Sequence, residues 1–265
     1  MKKKNLAIAL LLLGITSSIS SQTKVDSSKI VKVLTFNILH GATTKGDFDL
    51  DKIAKVIRDA NPDFVALQEV DFMTNRAKKY DLTTELGWRT KLISLFARAM
   101  PYDGGEYGEG ILSKYSLSSR NVALPHAIGN EPRAALEIVT TINANDTIAF
   151  IGTHLDHTAN ETDRIAQAKQ LNAVFASNTY PTILAGDLNA VPESAPITIL
   201  EDLWTASYSK KDNYYTYPSD NPIKKIDYVL FYPKHRWKVL ATKVICDVIA
   251  SDHCAYLVTL ELIDN

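Results

Sequence analysis

Six short apolar runs in this chain share one feature, an Asn, Asp, Glu or His at one end, and that repetition constrains the fold more than any other property. Asn37 follows Val33-Leu34-Thr35-Phe36, and Glu69 follows Val65-Ala66-Leu67-Gln68. His154 and Asp156 follow Ile151-Gly152-Thr153, and Asp187 and Asn189 follow Ile183-Leu184-Ala185-Gly186. Asp227 opens Tyr228-Val229-Leu230-Phe231, while Asp252-His253 stands before Ala255-Tyr256-Leu257-Val258. Taken singly, such a residue is a turn former or a cap. Together they are all of metal-ligand or acid-base type, and strand ends that meet at one sheet edge gather their side chains into one cleft.

The runs themselves read as strands, being rich in β-branched residues: Ile30 to Phe36, Asp63 to Leu67, Ala134 to Ile142, Thr147 to Gly152 and Pro181 to Ala185. Ile226 to Phe231, Trp237 to Cys246 and Cys254 to Leu262 extend the set. Asn143-Ala144-Asn145-Asp146 is a hairpin turn between two of them. Helical spacing appears in Leu50 to Ala60, capped by Asp49 and ended by Pro62, and in Glu161 to Ala176. In the second helix Ile165, Ala168, Leu171, Ala173, Val174 and Phe175 supply the expected buried side. Strands outnumber helices and alternate with them only in places. The pattern predicts two β-sheets packed face to face with helices outside, rather than a doubly wound parallel sheet.

The first residues stand apart. Lys2, Lys3 and Lys4 precede an apolar run from Leu6 to Ile15, followed by Ser17, Ser18, Ser20 and Ser21. That run is well under the roughly 20 residues of a bilayer span. The layout is that of a signal peptide over residues 1–21, cleaved between Ser20 and Thr23, with a short membrane anchor as the competing reading. Residues 22–265 then form a single domain, since no linker, charge block or repeat divides them. The expectation is a secreted or periplasmic protein.

The chain carries 29 basic and 30 acidic residues, and loss of the three leader lysines leaves 26 against 30, a formal charge of −4. Duplex nucleic acid is usually held by a basic face that releases counterions. Strong nucleic-acid binding is therefore not expected. Cys246 and Cys254 suit a disulfide in an exported protein, or two buried thiols behaving as small hydrophobes.

Six segments in order carry a family resemblance: Leu34-Thr35-Phe36-Asn37, Leu67-Gln68-Glu69-Val70, Gly152-Thr153-His154-Leu155-Asp156, Gly186-Asp187-Leu188-Asn189, Ile226-Asp227-Tyr228-Val229-Leu230 and Ser251-Asp252-His253. Gly108-Glu109-Gly110-Ile111-Leu112-Ser113 resembles a glycine-containing strand of the same family. The chain resembles the endonuclease/exonuclease/phosphatase superfamily, which includes DNase I-like nucleases, neutral sphingomyelinases, inositol-polyphosphate 5-phosphatases and tyrosyl-DNA phosphodiesterases. The resemblance implies an α/β four-layer sandwich, two packed mixed β-sheets flanked by helices. It also implies roles. Glu69, with Asn37 beside it and Asp252 in support, would hold a divalent ion. Asp187 would orient or deprotonate the attacking water, and Asn189 would donate its amide to the phosphoryl oxygens. His253, oriented by Asp227, would contact the phosphate, and His154 would stabilise the scissile phosphate or leaving group.

The residue types fit that chemistry. Attack on a phosphoester needs charge neutralisation as the pentacoordinate state forms, and an oxygen-rich set suits Mg²⁺, with Mn²⁺ or Ca²⁺ as alternatives; zinc would recruit more His or Cys. His40, His126 and His157 read as surface or turn histidines, and Arg164 and Lys169 as a solvated helix face. Arg133 reads equally as a phosphate-binding arginine and as a solvated strand-start residue. Trp204, Tyr214, Tyr215 and Tyr217 are candidates for a stacking rim, with packing as the ordinary alternative. The expected activity is a secreted metal-dependent phosphohydrolase acting on a lipid headgroup, at a membrane surface in that case, on a phosphoinositide or on another small phosphoester, with no protein partner. A secreted nuclease is the alternative, and a non-catalytic binding module has no need of all these residues.

Overall fold

The computed structural model describes residues 26–264. The leader expected over residues 1–21 lies outside the described residues, and no described helix is long and apolar enough to cross a membrane. In chain order the main elements are β1 (Ile30–Asn37), α1 (Leu50–Ala60), β2 (Phe64–Phe72), α2 (Leu82–Thr90), β3 (Ile93–Tyr102) and β4 (Gly105–Ser113). They continue with β5 (Ser118–Leu124), β6 (Arg133–Thr141), β7 (Thr147–His154), α3 (Thr162–Phe175), β8 (Thr182–Asp187) and α4 (Ala195–Glu201). The chain closes with β9 (Thr205–Ala206), β10 (Asp227–Tyr232), β11 (Trp237–Ile245) and β12 (Ala255–Leu262).

The strands form two six-stranded mixed sheets, ordered β11-β12-β1-β2-β4-β3 and β5-β6-β7-β8-β10-β9. Each has a parallel pair near its middle joined through a helix: β1 to β2 through α1, and β7 to β8 through α3. The other pairings are antiparallel. Alternate residues of β1, such as Val31 and Val33, pack with Phe64, Ile111 and Phe150 in the core between the sheets. The intervening Leu34 and Phe36 join Ile53, Ile57, Leu82 and Leu86 in a second core under α1 and α2. A period of two thus splits one strand between two buried layers, which is why these strands read as nearly continuous apolar runs. Against the second sheet lie Ala168, Leu171 and Phe175 of α3 and Ile197 and Leu200 of α4. This is the expected four-layer α/β sandwich.

Asp49 caps α1 by accepting from Asp51 N and Lys52 N, and Asn61, in a left-handed conformation, ends it. The Asn143–Asp146 turn joins β6 to β7, its closing bond running from Ile142 N to Asp146 O at 2.9 Å. α3 buries Asp163, Arg164, Gln167, Ala168, Leu171 and Phe175, so Ala173 of the expected buried side is exposed and Arg164 of the expected solvated face is inside. Only Lys169 of that face is exposed. α2, α4 and the edge strands β3 and β5 have no counterpart in the apolar pattern. Edge strands are half-exposed and lose the buried run that marks central ones. Cys246 and Cys254, which follow β11 and precede β12, are disulfide-bonded with Cα atoms 4.3 Å apart.

Candidate active site

The two parallel pairs end on the same side of the molecule, and they end in the polar residues. Asn37 is the last residue of β1, His154 of β7 and Asp187 of β8, so each side chain is aimed by strand geometry and not by a loop. His154 lies opposite Asp187 in the parallel ladder, and Asp187 lies opposite Asp227, which opens β10. Gly186 permits this closeness, since a Cβ there would stand 2.0 Å from the Thr153 carbonyl oxygen. Glu69 is placed differently. The β2–β4 register slips between Leu67 and Val70, and Glu69 takes φ 56° there, so a bulge turns its carboxylate into the cleft.

Asn37 ties the sheets together. Its Nδ2 donates to Glu69 Oε1 at 3.1 Å and to Asp187 Oδ2 at 3.2 Å. The segment before β12 is fastened to the same strand end, because Ser251 Oγ donates to the Asn37 carbonyl at 2.7 Å and accepts from His253 N at 3.1 Å. His253 Nδ1 donates to Asp227 Oδ2 at 3.1 Å, leaving Nε2 directed at Asp187 Oδ2, 3.7 Å away. The expected orientation of His253 by Asp227 is therefore the geometry found. Asn189 donates through Nδ2 to Leu155 O at 3.1 Å and lies 3.0 Å from His154 Nε2. Asp252 faces the same cleft. The structure thus gathers Asn37, Glu69, His154, Asp187, Asn189, Asp227, Asp252 and His253 at one place.

Burial and neighbouring charge set the protonation states in opposite directions. Burial raises the Asp187 carboxyl well above the usual range, and the Asp227 carboxylate raises it further. Burial alone would lower the His253 imidazole, but the carboxylates of Asp227 and Asp187 outweigh it and hold the ring protonated at neutral pH. His154 is pushed well below its ordinary value by burial and by Arg133, so it is neutral. Burial would lift Glu69 too, yet hydrogen bonds from His40 and Asn37 bring its carboxyl down to about 2. Glu69 is thus pushed toward its charged form while Asp187 is pushed the other way.

Several residues occupy places that the sequence reading did not expect. Arg133 is buried, with Nη1 3.2 Å from His154 Nδ1 and Nη2 donating to Glu131 Oε2 and His157 Nδ1, each at 3.0 Å. The choice left open for it falls on the site side. A neutral imidazole has one acceptor nitrogen, while His154 meets an N–H of Arg133 at one end and of Asn189 at the other. One contact must therefore yield when a phosphoryl oxygen arrives. His40, read as a turn histidine, lies with Nδ1 3.4 Å from Glu69 Oε2. His157 is exposed but lines the cleft, whereas His126 is exposed and bonded only to Ala127 O. Arg164 donates to the Asp156 and Thr158 carbonyls at 3.0 and 2.5 Å from beneath the cleft wall. Of the four rim candidates only Tyr217 faces the site, its ring 4.8 Å from that of His253; Trp204 is core. Glu109 of β4 is fully buried with neither carboxylate oxygen hydrogen-bonded, and burial keeps it protonated. It lies in the Gly108–Ser113 segment, where nothing in the sequence separates it from an edge-strand glutamate.

The cleft has a volume of about 630 Å³, and Arg76, stacked on Tyr102 at 4.5 Å, forms its far wall. The donor set fits a divalent ion: Glu69 is ionised, Asp252 faces the same cleft as a further oxygen donor, and buried Asp227 keeps one oxygen, Oδ1, unpartnered. Asn37, whose Nδ2 donates to Glu69 and whose Oδ1 accepts from Leu39 N, would turn its amide to offer an oxygen. Asp187, Asp227 and His253 also bring ligand atoms within 4.8 Å of one another. The His253–Asp227 hydrogen bond already occupies that group, so Glu69 is the better anchor for an ion.

The model of the Endonuclease/Exonuclease/phosphatase family matches residues 34–253. The chain belongs to this family. Its members are metal-dependent phosphoester hydrolases, and the chain is an enzyme of that class. Solved structures of similar fold include a functionally unknown conserved protein from Enterococcus faecalis V583, with 21% identity, a TM-score of 0.72, and coverage of 88% of this chain and 100% of that one. A mannosyl-6-phosphatase from Bacteroides thetaiotaomicron VPI-5482 has 16% identity and a TM-score of 0.68, with 88% and 100% covered. The human Nocturnin catalytic domain with bound sulfate has 17% identity and a TM-score of 0.68, with 89% and 95% covered. No curated protein matches the chain.

Proposed function

We infer that this family member is exported and hydrolyses a small phosphoester, a free metabolite or a lipid headgroup, by in-line attack of water. The observation that carries this reading is the buried Arg133 guanidinium, fixed in the wall of the cleft that also holds Glu69, Asp187 and His253. A guanidinium is a planar donor matched to phosphoryl oxygens. The cleft volume of about 630 Å³ lies within the usual range for small-molecule sites. One similar fold belongs to a sugar phosphatase, which supports a compact substrate. The formal −4 of residues 22–265 weighs against a duplex lying across the mouth.

A divalent ion on Glu69, Asn37 and Asp252, with Mg²⁺ as the family's ordinary choice, neutralises phosphate charge when bound. The chain's own groups divide the remaining work. Asp187, aligned between Asn37 and His253, accepts the proton of the attacking water. Protonated His253 donates through Nε2 to a phosphoryl oxygen, with Asp227 fixing the ring. Arg133 and Asn189 donate to the other oxygens. The leaving oxygen departs on the His154 side and takes its proton from bulk water, while Asp187 returns the proton it accepted to solvent. A panel of sugar phosphates, inositol phosphates and phospholipids, with Mg²⁺ and with EDTA, tests the reading beside plasmid nicking. Turnover of a small phosphoester that EDTA abolishes is expected. Efficient nicking at physiological salt without small-phosphoester turnover reverses it in favour of a nuclease.

A further inference from the structure

His40 has no part in the reaction outlined above, yet its place is closely determined. Leu39 and His40 take φ 46° and 45°, and Gly41 follows at 83°, so the chain doubles back directly after Asn37. Three consecutive left-handed residues are rare, and two of them here carry side chains. The turn is held from both sides. Leu39 N donates to Asn37 Oδ1 at 3.1 Å, and a Cβ on Gly41 would meet the Phe48 ring at 2.8 Å. The result is an imidazole that faces the open cleft with Nδ1 3.4 Å from Glu69 Oε2. Glu69 offers its other oxygen to Asn37, and the rings of His154 and His253 lie across the site beside Asp187. His40 is thus the imidazole on the Glu69 side.

Two ligands in adjacent positions of one ion, each about 2.1 Å from it, lie roughly 3 Å apart. The His40–Glu69 separation is close to that. Magnesium is met by oxygen ligands and its own waters, whereas imidazole suits first-row transition ions, whose affinities exceed those of the alkaline earths at a mixed nitrogen and oxygen site. We propose that His40 is a nitrogen ligand of the ion anchored by Glu69, and that the site prefers Mn²⁺ to Mg²⁺. The proposal rests on the reading of Glu69 as the metal anchor.

Binding of Mn²⁺ and of Mg²⁺, each alone, is measured on the metal-stripped full chain, by the electron paramagnetic resonance of free Mn²⁺ and by Mg²⁺ competition. The wild type is expected to bind Mn²⁺ at least about tenfold more tightly than Mg²⁺. His40→Ala should weaken Mn²⁺ by about tenfold or more and leave Mg²⁺ within about threefold, the scale expected when a ligand or its support is lost. Pulsed resonance of bound Mn²⁺ should show nitrogen modulation that His40→Ala removes. His40→Gln, which keeps a hydrogen bond to Glu69 within reach, should resemble His40→Ala and not the wild type. Circular dichroism verifies that each variant folds. Unchanged Mn²⁺ affinity and unchanged modulation in His40→Ala overturn the assignment and leave His40 as a hydrogen-bonding neighbour. Retention of both ions by Glu69→Gln overturns the reading of Glu69 itself, and with it the proposal.

Discussion

The Glu69 carboxyl is held at about 2 in a site where that of Asp187 is lifted to about 7, and that contrast separates a permanently charged ion anchor from a carboxylate poised to take a proton near neutral pH, among residues of one chemical type. Glu69→Gln preserves the shape while removing the charge, so hydrolysis should fall by orders of magnitude with the circular dichroism spectrum unchanged. Near wild-type rates at saturating Mg²⁺ would sink the assignment. His253 and Asp227 form one unit through their 3.1 Å bond, so the losses from His253→Ala and Asp227→Ala should be non-additive. Multiplicative losses in the double variant mean independent action. The same pair makes stability depend on pH. In the folded, metal-free protein the His253 imidazole is raised to about 10 by Asp227 and Asp187, against about 6.5 unfolded. Its contribution is fully present below the unfolded value and is lost as pH rises through the folded one. Urea unfolding in EDTA should show the gap between wild type and His253→Gln narrowing steadily from pH 6.5 to pH 10. A gap that does not change with pH contradicts this protonation state. These residues were legible in the sequence because each interrupts an apolar run. His40 was not, since it lies in a turn, and Arg133 stayed an even choice, since its environment is supplied by Tyr107, His154 and His157, which are distant in sequence.

At the level of elements, the strands run farther than their apolar stretches. The sequence marks the ends at Phe36, Gly152 and Ala185, but β1, β7 and β8 continue to Asn37, His154 and Asp187. The polar residues therefore belong to the ladders, and register decides what they face. Gly186 shows how tight the constraint is. A methyl group there would lie 2.0 Å from the Thr153 carbonyl oxygen, forcing β7 from β8 beside the His154–Asp187 pair. Gly186→Ala should cost at least about 1–3 kcal/mol in urea unfolding, the scale of overpacking, and lower the turnover number together with stability. A variant as stable and active as the wild type would show that the two strands separate freely. The bulge that aims Glu69 left no mark in the apolar pattern, because the expected strand ends at Leu67 whereas β2 runs on through the slip to Phe72. Period two and period 3.6 predict elements; they do not predict where a ladder slips.

At the scale of the whole molecule, the sheets bring both parallel pairs to one face, and the last segment of chain must then return to that face to deliver Asp252 and His253. The Cys246–Cys254 bond fastens that return. Ile245 pairs with Ala255 in the β11–β12 ladder, so the two cysteines are the next opposed pair, eight residues apart in sequence, and the loop they close carries both site residues. The sequence left bonded and free thiols both open, because opposition across a ladder depends on a register that spacing alone does not reveal. Closing a loop of this length removes chain entropy from the unfolded state worth about 2–3 kcal/mol. For a domain of this size that is on the order of 5–10 °C in melting temperature. The expected result is a lower melting temperature of that order for Cys246→Ser/Cys254→Ser, and for wild type in reductant, with no further drop when reductant is added to the variant. Exported wild-type protein should also resist alkylation at both positions until it is reduced. Equal melting temperatures with and without reductant, with both thiols alkylated in the unreduced protein, would show that the return segment is held without a covalent bond, by the β11–β12 ladder and by hydrogen bonds such as Ser251 Oγ to Asn37 O and Ser219 N to Asp252 O.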